Sequence, residues 1–117
     1  MNLDDALAAH ASWKVKFRTA IDKREQLDAG AIGRDNGCEL GKWLHGPAKG
    51  QVGLLPEYSA CVKEHAVFHV EAGKVAQAIN SGRYEEATDM IAAGTPYDRA
   101  SSTVGASIVR LRKVAKL

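Results

Sequence analysis

Pro56 and Gly82 bracket the stretch that most constrains this chain. Proline suits the first turn of a helix and glycine its stop, so one long helix is predicted from Pro56 to about Asn80. Tyr58, Cys61, Val62, Phe68, Ala72, Val75, Ala76 and Ile79 recur along it at helical spacing. His65 and His69 lie on the same apolar face. Residues i and i+4 sit one turn apart, so two imidazoles placed this way can reach one metal ion. Half of a tetrahedral site is therefore visible in Glu64-His65-Ala66-Val67-Phe68-His69.

The rest of the chain reads as partners for that helix. Leu3 to about Asp28 has few breakers, and Asp4 and Asp5 favour its start as a helix. Its stripe runs through Leu3, Leu7, Trp13, Phe17, Ala20 and Ile21. His10 falls inside that stripe, which turns a polar side chain toward the core. Residues 28–37 read as a loop, with Asp35 or Asn36 able to cap a short helix from Cys38 to Leu44. That helix ends near Gly46-Pro47, and 49–55 has room for one more turn. Further helices are predicted over 84–93 and, after a Thr95 cap and Pro96, to about Lys116. The last has a stripe of Ala100, Val104, Ile108 and Leu111, extending to Val114 and Ala115. No repeat, low-complexity tract or long linker divides the chain, which reads as one domain over 1–117. The expected architecture is all-α: an antiparallel four-helix bundle with an extra short helix carrying the cysteine.

Charge and hydropathy remove several functions. The 16 basic and 14 acidic residues leave a net charge of +2, too little to argue for nucleic acid. Arg110, Arg112, Lys113 and Lys116 suit the C-terminal end of a helix, where cations complement the dipole. No apolar run approaches the ~20 residues of a membrane helix, so no membrane partner is expected. Met1-Asn2-Leu3-Asp4-Asp5 has neither a basic nor an apolar leader region, and the expected compartment is the cytosol. There, Cys38 and Cys61 are better suited to metal or redox chemistry than to a disulfide.

Three histidines and one cysteine then occupy helical positions that a bundle can bring to one level: His10, Cys38, His65 and His69. Each has a plainer reading, as a hydrogen-bonded core histidine or a small buried hydrophobe. Together they would leave several buried polar groups unpaired, at roughly 1–3 kcal/mol each, unless they share a partner. A three-histidine, one-cysteine set selects for zinc. Di-iron bundles use Glu-x-x-His pairs, but the residues three before His65 and His69 are Val62 and Ala66. Haem attachment through Cys-x-x-Cys-His is absent. Cys61, one turn before His65, reads as core packing rather than a fifth ligand, and His45 as a loop hydrogen bonder. Cys38 opens a short helix, whose dipole is expected to lower its thiol pKa. Trp43 and Leu44 are expected to wedge that helix in place, and Gly41 to let it approach a neighbour.

His10 in Ala-His-Ala-Ser-Trp-Lys, Cys38-Glu-Leu-Gly-Lys-Trp-Leu44 and His65-Ala-Val-Phe-His69 resemble, in order and spacing, the signature elements of the chemoreceptor zinc-binding domain. The resemblance covers about residues 3–111. It implies a helical bundle, usually dimeric, holding one Zn²⁺ per subunit through His10, Cys38, His65 and His69. It also implies a regulatory role in bacterial cytosolic signalling, in chemotaxis or cyclic-di-GMP systems. Zinc occupancy, or oxidation of the zinc-bound cysteine by hypochlorous acid, would change the output of an attached domain or partner. No signalling coiled coil and no cyclase domain occurs in these residues.

Zinc release is expected to free the Cys38 segment, because glycines flank it on both sides (Gly30, Gly33, Gly37; Gly46, Gly50, Gly53). A zinc hydrolase is the rival of another class. It needs an open metal position and a nearby general base. Four protein ligands close the site, Glu64 is rotated off the metal face, and Ala66 after His65 breaks the His-Glu-x-x-His pattern. The chain is therefore expected not to be an enzyme. Ala8, Ala9, Val109 and Ala115 on the outer helix faces suit a homodimer.

Overall fold

The computed structural model describes residues 1–117. It contains eight helices and no strand: α1 (Leu3–Ala11), α2 (Trp13–Lys23), α3 (Ala29–Ile32), α4 (Glu39–Leu44), α5 (Ala48–Val52), α6 (Pro56–Asn80), α7 (Tyr84–Met90) and α8 (Pro96–Ala115). The all-α bundle expected from periodicity is the fold. Its axis is α6, which packs along α8 and touches α2, α3, α4 and α7 at successive levels. Phe17, Leu40, Leu44, Phe68, Ile79, Val104, Ile108 and Leu111 form the most deeply buried part of the core.

Helix directions follow from which residues meet. Asp4 of α1 pairs with Arg112 of α8 at 3.3 Å, and Phe17 of α2 meets Tyr97 at the start of α8. Thus α8 runs antiparallel to α1–α2. Tyr97 also meets Phe68 in the middle of α6, and Pro56, Glu57 and Arg110 flank one surface cavity, so α6 and α8 are antiparallel too. By contrast, His10 meets His65, and Leu27 meets Asn80, so α1–α2 and α6 run parallel. A long crossover makes this possible. It carries α3, α4 and α5 back past the site before α6 begins. The fourth helix of the bundle, α7, is short.

Several boundaries depart from the periodic reading. The first helix is interrupted at Ser12, whose hydroxyl donates to the Ala9 carbonyl at 2.7 Å. Serine hydroxyls compete with the helical backbone in this way. The helix ends at Lys23, not Asp28, because Arg24 turns left-handed at φ +54° and the Glu25 N–H closes onto the Ala20 carbonyl. The Asn80 side chain then clamps the following chain, accepting from Leu27 N–H at 2.8 Å and donating to the Leu27 carbonyl at 2.7 Å.

The predicted loop at 28–37 contains α3, capped by the Asp28 carboxylate on Ala31 N–H. Four residues are too few to show a period. The helix predicted over 84–93 stops at Met90, while Gly94, at φ +82°, turns the chain into the Thr95 cap of α8. Val114 is exposed rather than part of the α8 stripe. The long helix, its Pro56 start and its Gly82 stop fall where the sequence puts them.

Candidate metal centre

Three separate elements deliver the four donors. His10 comes from the last turn of α1, Cys38 from the cap before α4, and His65 and His69 from adjacent turns of α6. Their donor atoms all lie within 4.8 Å of one another. His10, His65 and His69 are 4 %, 0 % and 3 % exposed, whereas Cys38 is half-buried.

The cysteine is placed by local backbone chemistry. Cys38 has extended geometry (φ −83°, ψ 164°) and acts as the N-cap, its sulfur accepting from Gly41 N–H at 3.3 Å. Asp35 and Asn36 stay outside the helix. Gly41 is required because a Cβ there would lie 1.8 Å from the Asp35 carbonyl oxygen. The chain before Cys38 thus folds back onto α4. Leu40, Trp43 and Leu44 are buried beneath it, and the Tyr58 hydroxyl donates to the Leu44 carbonyl at 2.6 Å. His45 bonds the Asp35 carboxylate at 3.0 Å and is not a donor to the site.

The histidines are oriented from behind. His10 Nδ1 lies 2.7 Å from the Ala6 carbonyl, and His69 Nδ1 lies 2.7 Å from the Ile32 carbonyl. A carbonyl only accepts, so both Nδ1 atoms carry the proton and both Nε2 atoms present lone pairs inward. Ile32 reaches His69 because α3 rides directly on α6: a Cβ on Gly73 would sit 2.9 Å from Gly33 Cα. Gly33 is therefore a packing residue. The ring of Phe68 walls the site edge-on, with centroids 5.3 Å from His10 and 5.5 Å from His69.

The donor set passes a direct test of fit. His65 Nε2 is 3.1 Å from His10 Nε2 and 3.0 Å from His69 Nε2. The Cys38 sulfur is 3.2, 3.6 and 3.9 Å from the Nε2 atoms of His65, His69 and His10. A tetrahedron with Zn–N near 2.1 Å and Zn–S near 2.3 Å has N–N edges of roughly 3.4 Å and N–S edges of roughly 3.6 Å. Five of the six donor–donor distances thus stand near the edges of such a tetrahedron, and the sixth, between His10 and His69, is no longer than 4.8 Å, so the two rings would draw together around an ion. At least two of the nitrogens face that point with lone pairs, which repel unless a cation or a proton lies between them. His65 Nδ1 is buried with no partner, so its proton is the one not fixed from behind.

Burial sets the acid–base character of the apo site. It is the largest cause lowering the pKa of His65 to about 3, with the neighbouring histidines adding to it. It also lowers that of His10, against the Ala6 hydrogen bond. The Cys38 thiol is raised, not lowered. Its burial outweighs the backbone N–H groups of Gly41 and Leu40, because a six-residue helix offers little dipole. The expectation of a thiol acidified by the helix end is thus corrected: in this protein only a cation at the site would make the thiolate the favoured form. Cys61 is fully buried in the core, and burial pushes its thiol up to about 11.

Sequence reasoning missed the two carbonyls, Ala6 and Ile32, that hold the histidines. A backbone acceptor has no residue signature, and only the approach of α3 to α6 reveals the second. No helix of the molecule is long and apolar enough to cross a membrane.

No curated protein and no solved structure matches the chain. A family model, the chemoreceptor zinc-binding domain, matches residues 10–76. This is narrower than the 3–111 of the motif resemblance, and it leaves α7 and α8 outside. The match still covers more than half of the chain and includes all four donors, which are positioned to hold a metal ion. The chain belongs to the chemoreceptor zinc-binding domain family.

Proposed function

We propose that the chain is one zinc-responsive regulatory domain over residues 1–117, with His10, Cys38, His65 and His69 as the ligands. The observation that carries this reading is the convergence of four donors, from α1, the α4 cap and α6, within 4.8 Å. Zinc held there would supply a redox-inert cationic centre that keeps the cysteine as thiolate. The chain's own residues do the rest. Ala6 and Ile32 orient two imidazoles, Phe68 excludes water, and the four side chains tie α1 and α4 to α6. Loss of the tie frees the α4 segment, which carries the one donor that is only half-buried.

The setting we propose is bacterial cytosolic signalling, of the chemotaxis or cyclic-di-GMP kind, with a partner or fused domain as output; membership of a chemoreceptor zinc-binding family supports it. A homodimer fits the small residues on the outer faces of α1 and α8. The role is regulatory rather than enzymatic: four protein ligands leave no position for a substrate or an activated water. Turnover of an ester or peptide, lost in His65→Ala, would overturn that.

A second reading is favoured by one observation: Cys38 is the only donor that is not buried. In this reading zinc is constitutive, and hypochlorous acid oxidises the thiolate to sulfenic acid, itself reduced to chloride. Oxidation of Cys38 with zinc release, before Cys61 reacts, supports it.

The test of the main reading is metal content. Purified protein is expected to carry one zinc per chain. Cys38→Ala is expected to weaken zinc binding by more than about tenfold, the least that is lost when even a group that only hydrogen-bonds to a ligand is removed. Equal affinity of the variant in chelator competition would remove Cys38 from the site.

A further inference from the structure

Three of the four donors are sealed. His10, His65 and His69 are no more than 4 % exposed, and Phe68 backs them. A soluble molecule therefore needs a defined way in. One cavity of about 390 Å³ opens between the N-terminal half of α1 and the start of α4. It is lined by His10 and Cys38 themselves, with Asp5, Ala6, Ala9 and Leu40 among its walls. Four further surface cavities touch none of the donors. The cavity exists because α1 presents small side chains here. Ala6 is buried beside the site, while Ala9 stands at the exposed rim, where a larger side chain would fill the space.

We propose that this cavity is the docking and entry site through which small soft electrophiles reach the Cys38 sulfur. It would set which molecules can act on the centre by size, with Ala9 as the residue that keeps it open. The consequence for signalling rests on the reading of Cys38 as a zinc ligand, but the route itself is a property of the folded chain with or without metal.

The probe is iodoacetamide on the zinc-free, folded protein. The Cys38 sulfur forms a bond to the methylene carbon, the C–I bond breaks, iodide leaves with the electron pair, and the thiol proton goes to solvent. Ala9→Trp places an indole in the cavity from an exposed helix position. Ala8→Trp, one residue away on the same face offered for a homodimer and also exposed but not a wall of the cavity, is its control, and size-exclusion chromatography of all three proteins establishes that their assembly is the same. Cys61, fully buried, reports unfolding within the same sample.

In Ala9→Trp, Cys38 can react only after local opening, and its rate is expected to fall roughly tenfold or more. Ala8→Trp should match the wild type. Helical circular dichroism and unreactive Cys61 in all three proteins establish that the fold is kept. Equal Cys38 rates in all three would overturn the proposal, as would a fall of the same size in Ala8→Trp. Should Ala9→Trp expose Cys61, Ala9→Leu replaces it and is read by the same criterion. Zinc titration of the same proteins separates the two readings. A wild type that binds no zinc defeats the zinc-responsive function, while the alkylation rates still decide the route.

Discussion

At the level of single residues, the centre is asymmetric. His10 and His69 each donate an Nδ1 proton to a carbonyl, whereas His65 Nδ1 has no acceptor and no solvent. Without metal, the His65 proton is better placed on Nε2, where the Nε2 lone pairs of His10 and His69 lie 3.1 and 3.0 Å away. Metal at Nε2 forces the proton to Nδ1. Long-range ¹H–¹⁵N spectra are thus expected to show His65 changing tautomer on zinc addition, while His10 and His69 keep theirs. An Nδ1-protonated His65 in the zinc-free protein would refute this assignment. The imidazoles at 10, 65 and 69 were legible in the sequence because their spacing puts them on apolar faces. Their tautomers were not, because those depend on carbonyls brought from other turns and another helix.

Among the elements, α4 is the one held by geometry rather than length. Its six residues cannot form a stable helix alone. It persists through buried Leu40, Trp43 and Leu44, the Tyr58 bond and the close contact of Gly41 with the Asp35 carbonyl. A methyl at position 41 would have to push the Asp35–Cys38 segment away, and with it the sulfur. Gly41→Ala is expected to cost about 1–3 kcal/mol of stability, the usual penalty of overpacking, and to weaken zinc binding as well. Denaturant melts and a zinc titration read the two effects. A variant as stable as wild type would mean that the segment relaxes freely. The sequence marked Gly41 as a point of close approach. It did not mark Gly33 and Gly73, which bring α3 onto α6, because α3 is too short to be seen as a helix and its contact partner is forty residues away.

For the molecule as a whole, the sealed centre couples stability to pH. His65, at about 3, and His10, also lowered, have folded pKa values below the ordinary 6.5 of the unfolded chain. Below 6.5 the unfolded state therefore binds more protons than the native one. The zinc-free protein is expected to be most stable above pH 6.5 and to lose stability as pH falls toward 3. The slope from His65 should approach about 1.4 kcal/mol per pH unit, with His10 adding in the same direction. Chemical denaturation at a series of pH values checks this. A flat profile between pH 7 and 4 would mean that these side chains reach water in the native state. By itself the sequence determined the helical class, the long α6 with its stop and start, and which four side chains could meet as candidate donors, since these are set by period, caps and residue chemistry. Only the tertiary structure decided that α1–α2 runs parallel to α6, because a crossover of 31 residues permits either sense (25–55, between Arg24 and Pro56). It also decided the acidity of Cys38 and which carbonyls, those of Ala6 and Ile32, hold His10 and His69. Those depend on burial and on backbone groups distant in the chain, which no local pattern encodes.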